Sequence, residues 1–309
     1  MWNKLGLVFD VAEYANQQWL CNSALTPQPF RLNENTIRVF AGFRDSEGVS
    51  RIGYVDLASD EPTKILGVSK KPVLDIGRDG CFDDNGVIMG DVVRTPAGIH
   101  LFYVGFQLVK KAKFLAFSGV ALSEDGGETF QRISESPILG RGRFQSTIGA
   151  IHTALYENGV WRLWFARGDG WEIINGVPYP QYHICYTETE DLLNIPRTAV
   201  TCVDAILPEY RIGRPKVYRV ADGSYIMFAT IGTISGTYEP SLFRSEDGIK
   251  WERDDSSIGI AISESGWDSE TLCYPALIKT AEQTLMIYNG NQMGVDGFGA
   301  AVSNDVILA

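Results

Sequence analysis

The sequence predicts an all-β fold: a five-bladed β-propeller spanning residues 1–309 as a single domain, its ring closed by the N-terminal strand. Three observations carry this expectation: a strand motif that recurs at a fixed period, turn signals between the repeats, and the want of any convincing amphipathic helix. The motif is an apolar strand with one aromatic, and it occurs as IRVFAGF, LFYVGF, LWFARG, IMFATIG and MIYNGN. The matching aromatics are Phe40, Tyr103, Phe165, Phe228 and Tyr288, separated by 63, 62, 63 and 60 residues. Three or four short strands in each period match a propeller blade.

The elements follow in order. The opening KLGLVFDV stands ahead of the first repeat and is assigned as the outer strand that completes the last blade, which removes exposed sheet edges. Each repeat has an apolar run, a turn (NENT, TPAG, YENG, VADG or TAEQ) and then the aromatic strand. A further strand follows as SRIGYVDL, FSGVALS, YHICYTE, PSLFRS or GFGAAVS. The stretches SEDGGETF and SEDGIKW, starting at Ser123 and Ser245, are hairpin punctuation with an aromatic on the returning strand. No Pro/Gly/Ser linker interrupts the period.

Composition narrows the function classes. A chain of 309 residues with 45% hydrophobic and 21% charged residues is expected to be globular. The formal charge of −11 disfavours nucleic acid, whose phosphates are held by Lys and Arg clusters. No apolar stretch approaches the roughly 20 residues of a membrane span. The N-terminal MWNKLGLVFDV lacks the pattern of a secretory signal. Five scattered cysteines, Cys21, Cys81, Cys185, Cys202 and Cys273, form no C-x-x-C pair, so a disulfide framework is not expected and a cytoplasmic setting is. No cofactor and no metal site is predicted, and the oligomeric state is left open.

In a propeller the segments leading into the first strands of the blades crowd together at one end of the axis. Here they read WLCNSALTPQPF, GCFDDNGVIMG, QSTIGAIHTAL, EYRIGRPKVY and GWDSETLCYPAL. Asn22, Asp83, Asp84, Glu209, Arg211, Arg214, Asp268 and Glu270 are therefore expected around one funnel, with a carbohydrate or sugar conjugate as the ligand. The alternation of Asp268 and Glu270 would place both on one face of an extended strand. Trp171 falls in a Gly- and Pro-rich insertion, GDGWEIINGVPYPQYH, where an indole at a loop tip could stack on a sugar ring. His152 and His183 lack metal-ligand spacing and are expected to serve as hydrogen-bonding residues, His183 toward substrate. Trp161, Trp164 and Trp251 are expected in the core.

FDDNGV, WRLWFARGDGW, PYPQYHICY, GRPKVYR, GWDSETLCYP, YNGNQMG and GFG together resemble the superfamily of arabinanases, levansucrases and invertases over nearly the whole chain. They resemble more closely a subset assigned only in general terms as glycosyl hydrolases of polysaccharide gene clusters. The resemblance implies a five-bladed propeller with an acid on each of the first three blades. Here the first blade offers Asn22, Ser23 and Ala24 and the third Gln145, Ser146 and Thr147, so only Asp84, or its neighbour Asp83, has a counterpart. Glycoside cleavage needs one carboxyl group to protonate the leaving oxygen and usually a second to activate water or attack the sugar. Asp84 and Glu270 are assigned to that chemistry in an atypical glycoside hydrolase or transglycosidase, with Arg214, Asp268 and Trp171 orienting the sugar. Two alternatives stand: a non-catalytic carbohydrate-binding propeller, and an enzyme modifying a nucleotide- or lipid-linked sugar.

Overall fold

The computed structural model describes residues 1–143 and 145–309. Strands dominate. The first half of the chain holds β1 (Asn3–Asp10), β2 (Ser23–Asn33), β3 (Thr36–Arg44), β4 (Ser50–Ala58), β5 (Ile65–Val68), β6 (Val87–Thr95), β7 (Gly98–Leu108), β8 (Phe114–Ser123), β9 (Gln131–Arg132) and β10 (Ile148–Glu157). The second half holds β11 (Val160–Ile174), β12 (Val177–Thr189), β13 (Val200–Val203), β14 (Glu209–Arg219), β15 (Tyr225–Thr233), β16 (Tyr238–Ser245), β17 (Glu252–Arg253), β18 (Cys273–Lys279), β19 (Thr284–Asn289) and β20 (Gly297–Ser303). Among the described residues, helix is confined to three 3-10 turns, Val11–Tyr14, Asp255–Ser257 and Asn291–Met293.

The strands form antiparallel meanders in sequence order: β2 to β5, β6 to β9, β10 to β13 and β14 to β17. The second and third are joined into one sheet by a short parallel pairing of β8 with β10 at Ala116 and Ile148. The last meander, β18 to β20, gains β1 as its outer strand, running antiparallel to β20 from Asn3 opposite Val302 to Asp10 opposite Gly297. The repeated aromatics Phe40, Tyr103, Phe165, Phe228 and Tyr288 occupy the second strand of each meander, none more than 2% exposed. The period in the sequence is thus the period of core packing, since a wholly buried aromatic contributes the most apolar area per residue. Trp161 and Trp164 are buried as expected, whereas Trp251 is half-buried and donates its indole N–H to Gly248 O.

Contacts divide the chain into two compact units: Met1–Val73 with Lys216–Ala229 and Tyr238–Ala309, and Leu74–Pro215 with Thr230–Thr237. In the first, Phe9, Phe43, Ile287 and Phe298 share one apolar cluster, and Phe228, Met286 and Tyr288 belong to another. Asn289 fastens β2 to this core: its Oδ1 accepts from Thr26 N at 2.8 Å, and its Nδ2 donates to Ala24 O and Gly297 O. In the second, Phe102, Ile151, Trp161 and Phe165 form the core between β7, β10 and β11. There the first strands of three meanders lie against one another. Thr153 Oγ1 donates to Pro215 O at 2.7 Å, Ala154 N donates to Asp91 Oδ2 at 2.8 Å, and a Cβ at Gly90 would sit 2.4 Å from Ile151 O. Only glycine allows that approach.

The first strands also share a local defect. The pairing register slips between Leu25 and Gln28 in β2, Met89 and Asp91 in β6, Ile151 and Thr153 in β10, and Cys273 and Ala276 in β18. Such bulges bend a strand and re-aim its side chains. Thr26, Arg214 and Tyr274 take left-handed backbone at φ 53°, 53° and 56°.

Candidate functional site

The second unit holds a cavity of about 370 Å³ beside β11, β12 and the start of β14, bounded by Arg167, Asp169, Glu172, Gln181, Tyr182, His183, Asp204, Glu209 and Tyr210. Its wall is a long hairpin. After a register slip between Arg167 and Gly170, β11 and β12 stay paired as far as Ile174 opposite Val177. The turn is Asn175-Gly176, with φ 51° and 78°, the pair that suits a two-residue hairpin. The Gly- and Pro-rich segment is therefore strand rather than loop. Trp171 lies opposite Pro180 on this hairpin, half-buried and edge-on to Phe114 at 5.3 Å, and not at a loop tip.

Carboxylates line this cavity and are oriented by neighbouring donors. Gln181 Nε2 donates to Glu172 Oε2 at 2.9 Å, Ser146 N to Asp169 Oδ1 at 3.1 Å, and Ile206 N to Glu209 Oε2 at 3.2 Å. Glu209 is 8% exposed. Arg211 lies among three phenol rings, 5.0 Å from Tyr210, 5.7 Å from Tyr182 and 5.9 Å from Tyr179. Burial pushes the Tyr210 hydroxyl up to about 12, with Tyr182 and Tyr179 acting the same way and Arg211 opposing them. His183 pairs across the strands with Arg167. Burial and the Arg167 charge lower its pKa, Asp204 and Asp169 pull it back only in part, and at neutral pH the imidazole is uncharged. Acceptor carboxylates, a neutral imidazole and phenol faces are the groups that hold hydroxyl-rich rings.

Of the residues expected at the site, His183 and Glu209 line this cavity, and Arg211 touches its tyrosine wall. Arg167, Asp169, Glu172, Tyr182, Asp204 and Tyr210 were not singled out from the sequence. The signal for three of them is present in WFARGDGW and PYPQYHICY, which supply Arg167, Asp169 and Tyr182 around the hairpin.

Asp83 and Asp84 belong to the same unit and form part of a turn before β6. Asp83 is fully buried, and Arg132 Nε donates to its Oδ2 at 2.7 Å. Burial foremost, and then the Asp83 charge, push the Tyr103 phenol above its usual range. Asp84 Oδ2 accepts from Gly80 N at 2.9 Å, while its Oδ1 is buried with no hydrogen-bond partner among the described residues. Arg214, also buried, donates from Nη2 to Met89 O at 3.0 Å.

Asn22, Asp268 and Glu270 lie in the first unit. Asn22 is exposed, and its backbone N–H bonds to Arg44 O. Asp268 and Glu270 do not share a strand face: both lie in the irregular segment before β18, with Asp268 buried and Glu270 exposed. Asn291 Oδ1 holds the turn by accepting from Glu270 N at 2.8 Å and Thr271 N at 3.1 Å, which breaks the alternation. Asp268 Oδ2 accepts from Lys4 Nζ at 2.6 Å and from the Tyr288 hydroxyl at 3.0 Å. Burial raises its pKa, and the donors Lys4, Ser263 and Tyr288 outweigh that and hold the carboxyl below its usual range. Among the described residues, no group of three His, Cys, Asp or Glu side chains is placed to hold a metal ion.

No family model matches the chain. It is 29% identical over 303 residues to an uncharacterized protein of Mycobacterium tuberculosis, covering 97% of this chain and 98% of the relative. Solved structures of similar fold include proteins described as glycoside hydrolases. One is from the GH130 family of mannoside phosphorylases and glycoside hydrolases that target β-1,2-mannosidic linkages, at TM-score 0.70 and 14% identity, with coverage of 98% of this chain and 94% of the other. A thermostable family-43 glycoside hydrolase matches at TM-score 0.66 and 12% identity over 93% of this chain and 89% of its own. The α-L-arabinanase of Penicillium chrysogenum, solved with arabinobiose, matches at TM-score 0.61 and 12% identity over 98% of both chains. The likeness is one of fold.

Proposed function

We propose that the chain is a carbohydrate-active enzyme of the glycoside-hydrolase type, built as one five-bladed propeller whose ring β1 closes. The observation that carries the reading is the cavity bounded by Asp169, Glu172, Asp204, Glu209, Tyr182 and Tyr210, a donor-and-acceptor set suited to sugar hydroxyls beside aromatic faces. Five meanders and β1 in the outer position of the last sheet support the ring. Asp84 stands in the turn before β6, Glu209 at the start of β14 and Glu270 in the segment before β18, each where a meander begins. Asp84 and Glu270 serve as the acid and base, and Glu209 with His183 and Arg211 orients the sugar.

A second reading, a carbohydrate-binding protein without turnover, is favoured by the residues at the start of β2 and before β10. Asn22 and Ser23 stand at the first place, and Ser146 and Thr147 at the second, where the fold's hydrolases carry acids. The experiment measures both rate and affinity on oligosaccharides including β-1,2-mannobiose and arabinobiose. General acid-base catalysis contributes about 100-fold or more, so Asp84→Asn and Glu270→Gln should each lower turnover on that scale with little change in affinity. Equal turnover by both variants removes them from the chemistry. Saturable binding without turnover, abolished by Tyr182→Ala, selects the binding protein.

A further inference from the structure

A second cavity of about 380 Å³ lies in the same unit, between residues 137–143 and Gln145, on the way from β9 to β10, and residues 193–195 and Arg197, on the way from β12 to β13. Arg141, Arg143 and Arg197 line it, and none of its lining residues is Asp or Glu. In a chain with 38 acidic against 27 basic residues, three guanidinium groups around one concavity whose described lining residues include no Asp or Glu form a local inversion of charge. The neighbouring cavity has the opposite character, with Asp169, Glu172, Asp204 and Glu209 in its wall.

The arginine cavity is set on a defined frame. Leu139 is buried beneath it in a cluster with Ile151, Leu163 and Leu192, and Ile138 and Ile195 pack against that cluster. Gln145, itself 7% exposed, donates from Nε2 to Gly140 O at 2.9 Å, and Gly142 and Gln145 bridge through their backbones at 2.9 Å and 3.3 Å. Arg143 stands between those bridging residues. Arg141 Nε donates to Ser146 O at 2.9 Å, and Ser146 N in turn donates to Asp169 Oδ1 in the wall of the carboxylate cavity. One residue, Ser146, thus joins the two walls.

From this geometry we infer that the Arg141, Arg143 and Arg197 cavity is a binding site for a phosphate group. A guanidinium presents paired N–H donors whose spacing matches two oxygens of a tetrahedral oxyanion, and its charge does not titrate in the physiological range. Three such forks satisfy an anion that the rest of this acidic molecule repels. Pro137, Ile138 and Ile195 give the cavity an apolar side, against which the organic part of a phosphate ester would rest. The source of the phosphate is either an ester or the free ion, and both present the same oxygens.

The test is calorimetric titration of the full chain with inorganic phosphate and, separately, methyl phosphate at constant ionic strength. Wild type, Arg143→Gln, Arg197→Gln, the double variant and Lys71→Gln are compared; Lys71 is an exposed cation outside the cavity. Saturable binding is expected in the wild type. Because a charge-assisted paired contact is lost, each arginine variant should weaken it by about tenfold, and the double variant should abolish it. Lys71→Gln should stay within about twofold, since a remote exposed charge is screened. Methyl phosphate binding as tightly as inorganic phosphate assigns the site to an ester; binding of inorganic phosphate alone assigns it to the free ion. No saturable binding of either anion, wild-type affinity in the double variant, or an equal loss in Lys71→Gln overturns the site. No sugar is involved, so the result is independent of whether the chain cleaves glycans.

Discussion

Asp83 is fully buried, and Arg132 donates to its side chain across 2.7 Å, the paired geometry in which buried ionic groups are found. Removing one partner of a buried ion pair strands the other, so Asp83→Asn should lower unfolding free energy by about 3 kcal/mol in a urea titration. Asp84 is held by a single backbone N–H from Gly80, and Asp84→Asn should cost no more than about 1 kcal/mol. Similar losses in the two variants would contradict this division of duties. The turn itself was legible in FDDNGV, because Asp, Asn and Gly favour tight backbone. The ion pair was not, since Arg132 is 49 residues further along and joins Asp83 only through the folding of β9. Asp268 shows the same limit. Its alternation with Glu270 was visible, but Lys4 and Tyr288, the residues that fix its position, come from distant strands.

Hairpins that carry their own hydrogen-bond donors could be read locally. At Ser123–Phe130 the Asp125 carboxylate accepts from Ser123 Oγ at 2.7 Å, from Glu128 N and Thr129 N, and from Thr129 Oγ1 at 2.6 Å. Ser245 and Asp247 repeat the arrangement, with Ile249 N and Lys250 N donating to Asp247 Oδ1 at 2.8 Å. Burial would raise the pKa of Asp125, yet the bonds from Thr129, Ser123 and Glu128 dominate and hold it well below the usual carboxylate range. A depressed folded-state pKa adds stability above the unfolded value of about 3.9, and that stability is lost as pH falls through the folded value. Asp125→Asn should therefore be less stable than wild type by about 1 kcal/mol at pH 7, with the exposed site limiting the size. The gap should begin to narrow as the pH falls below about 4 and keep narrowing with further acidification, measured by denaturant titrations at each pH. A gap that widens on acidification would reject the assignment. The hairpin of β11 and β12 was hidden by its composition. Pro178 and Pro180 suggest a loop, but β13 pairs with β12 only from Ile184 to Tyr186, which leaves the prolines on a free edge where no ladder N–H is required.

The regular spacing of buried aromatics made the sheet order readable across the whole molecule, because each period fills one layer of core with one large ring. How carboxylates from separate meanders converge was not readable, since that depends on bulges and turns a few residues long. The pairing of β1 with β20 carries its own prediction. A chain lacking residues 1–10 leaves the β20 ladder and Asp268 without the partners β1 supplies, and exposed strand edges recruit other chains. Light scattering after size exclusion should find higher-mass species in the truncated protein; an unchanged mass distribution and melting temperature would refute the point. The same pairing imposes an order in time. During synthesis β1 is made before its partner, which follows almost 300 residues later, after the other four meanders. At about 5–20 residues per second, β1 waits roughly 15 to 60 seconds before it can pair. For that interval its apolar residues Leu7, Val8 and Phe9 are available to any protein that recognises unpaired strands, a nascent-chain chaperone among them.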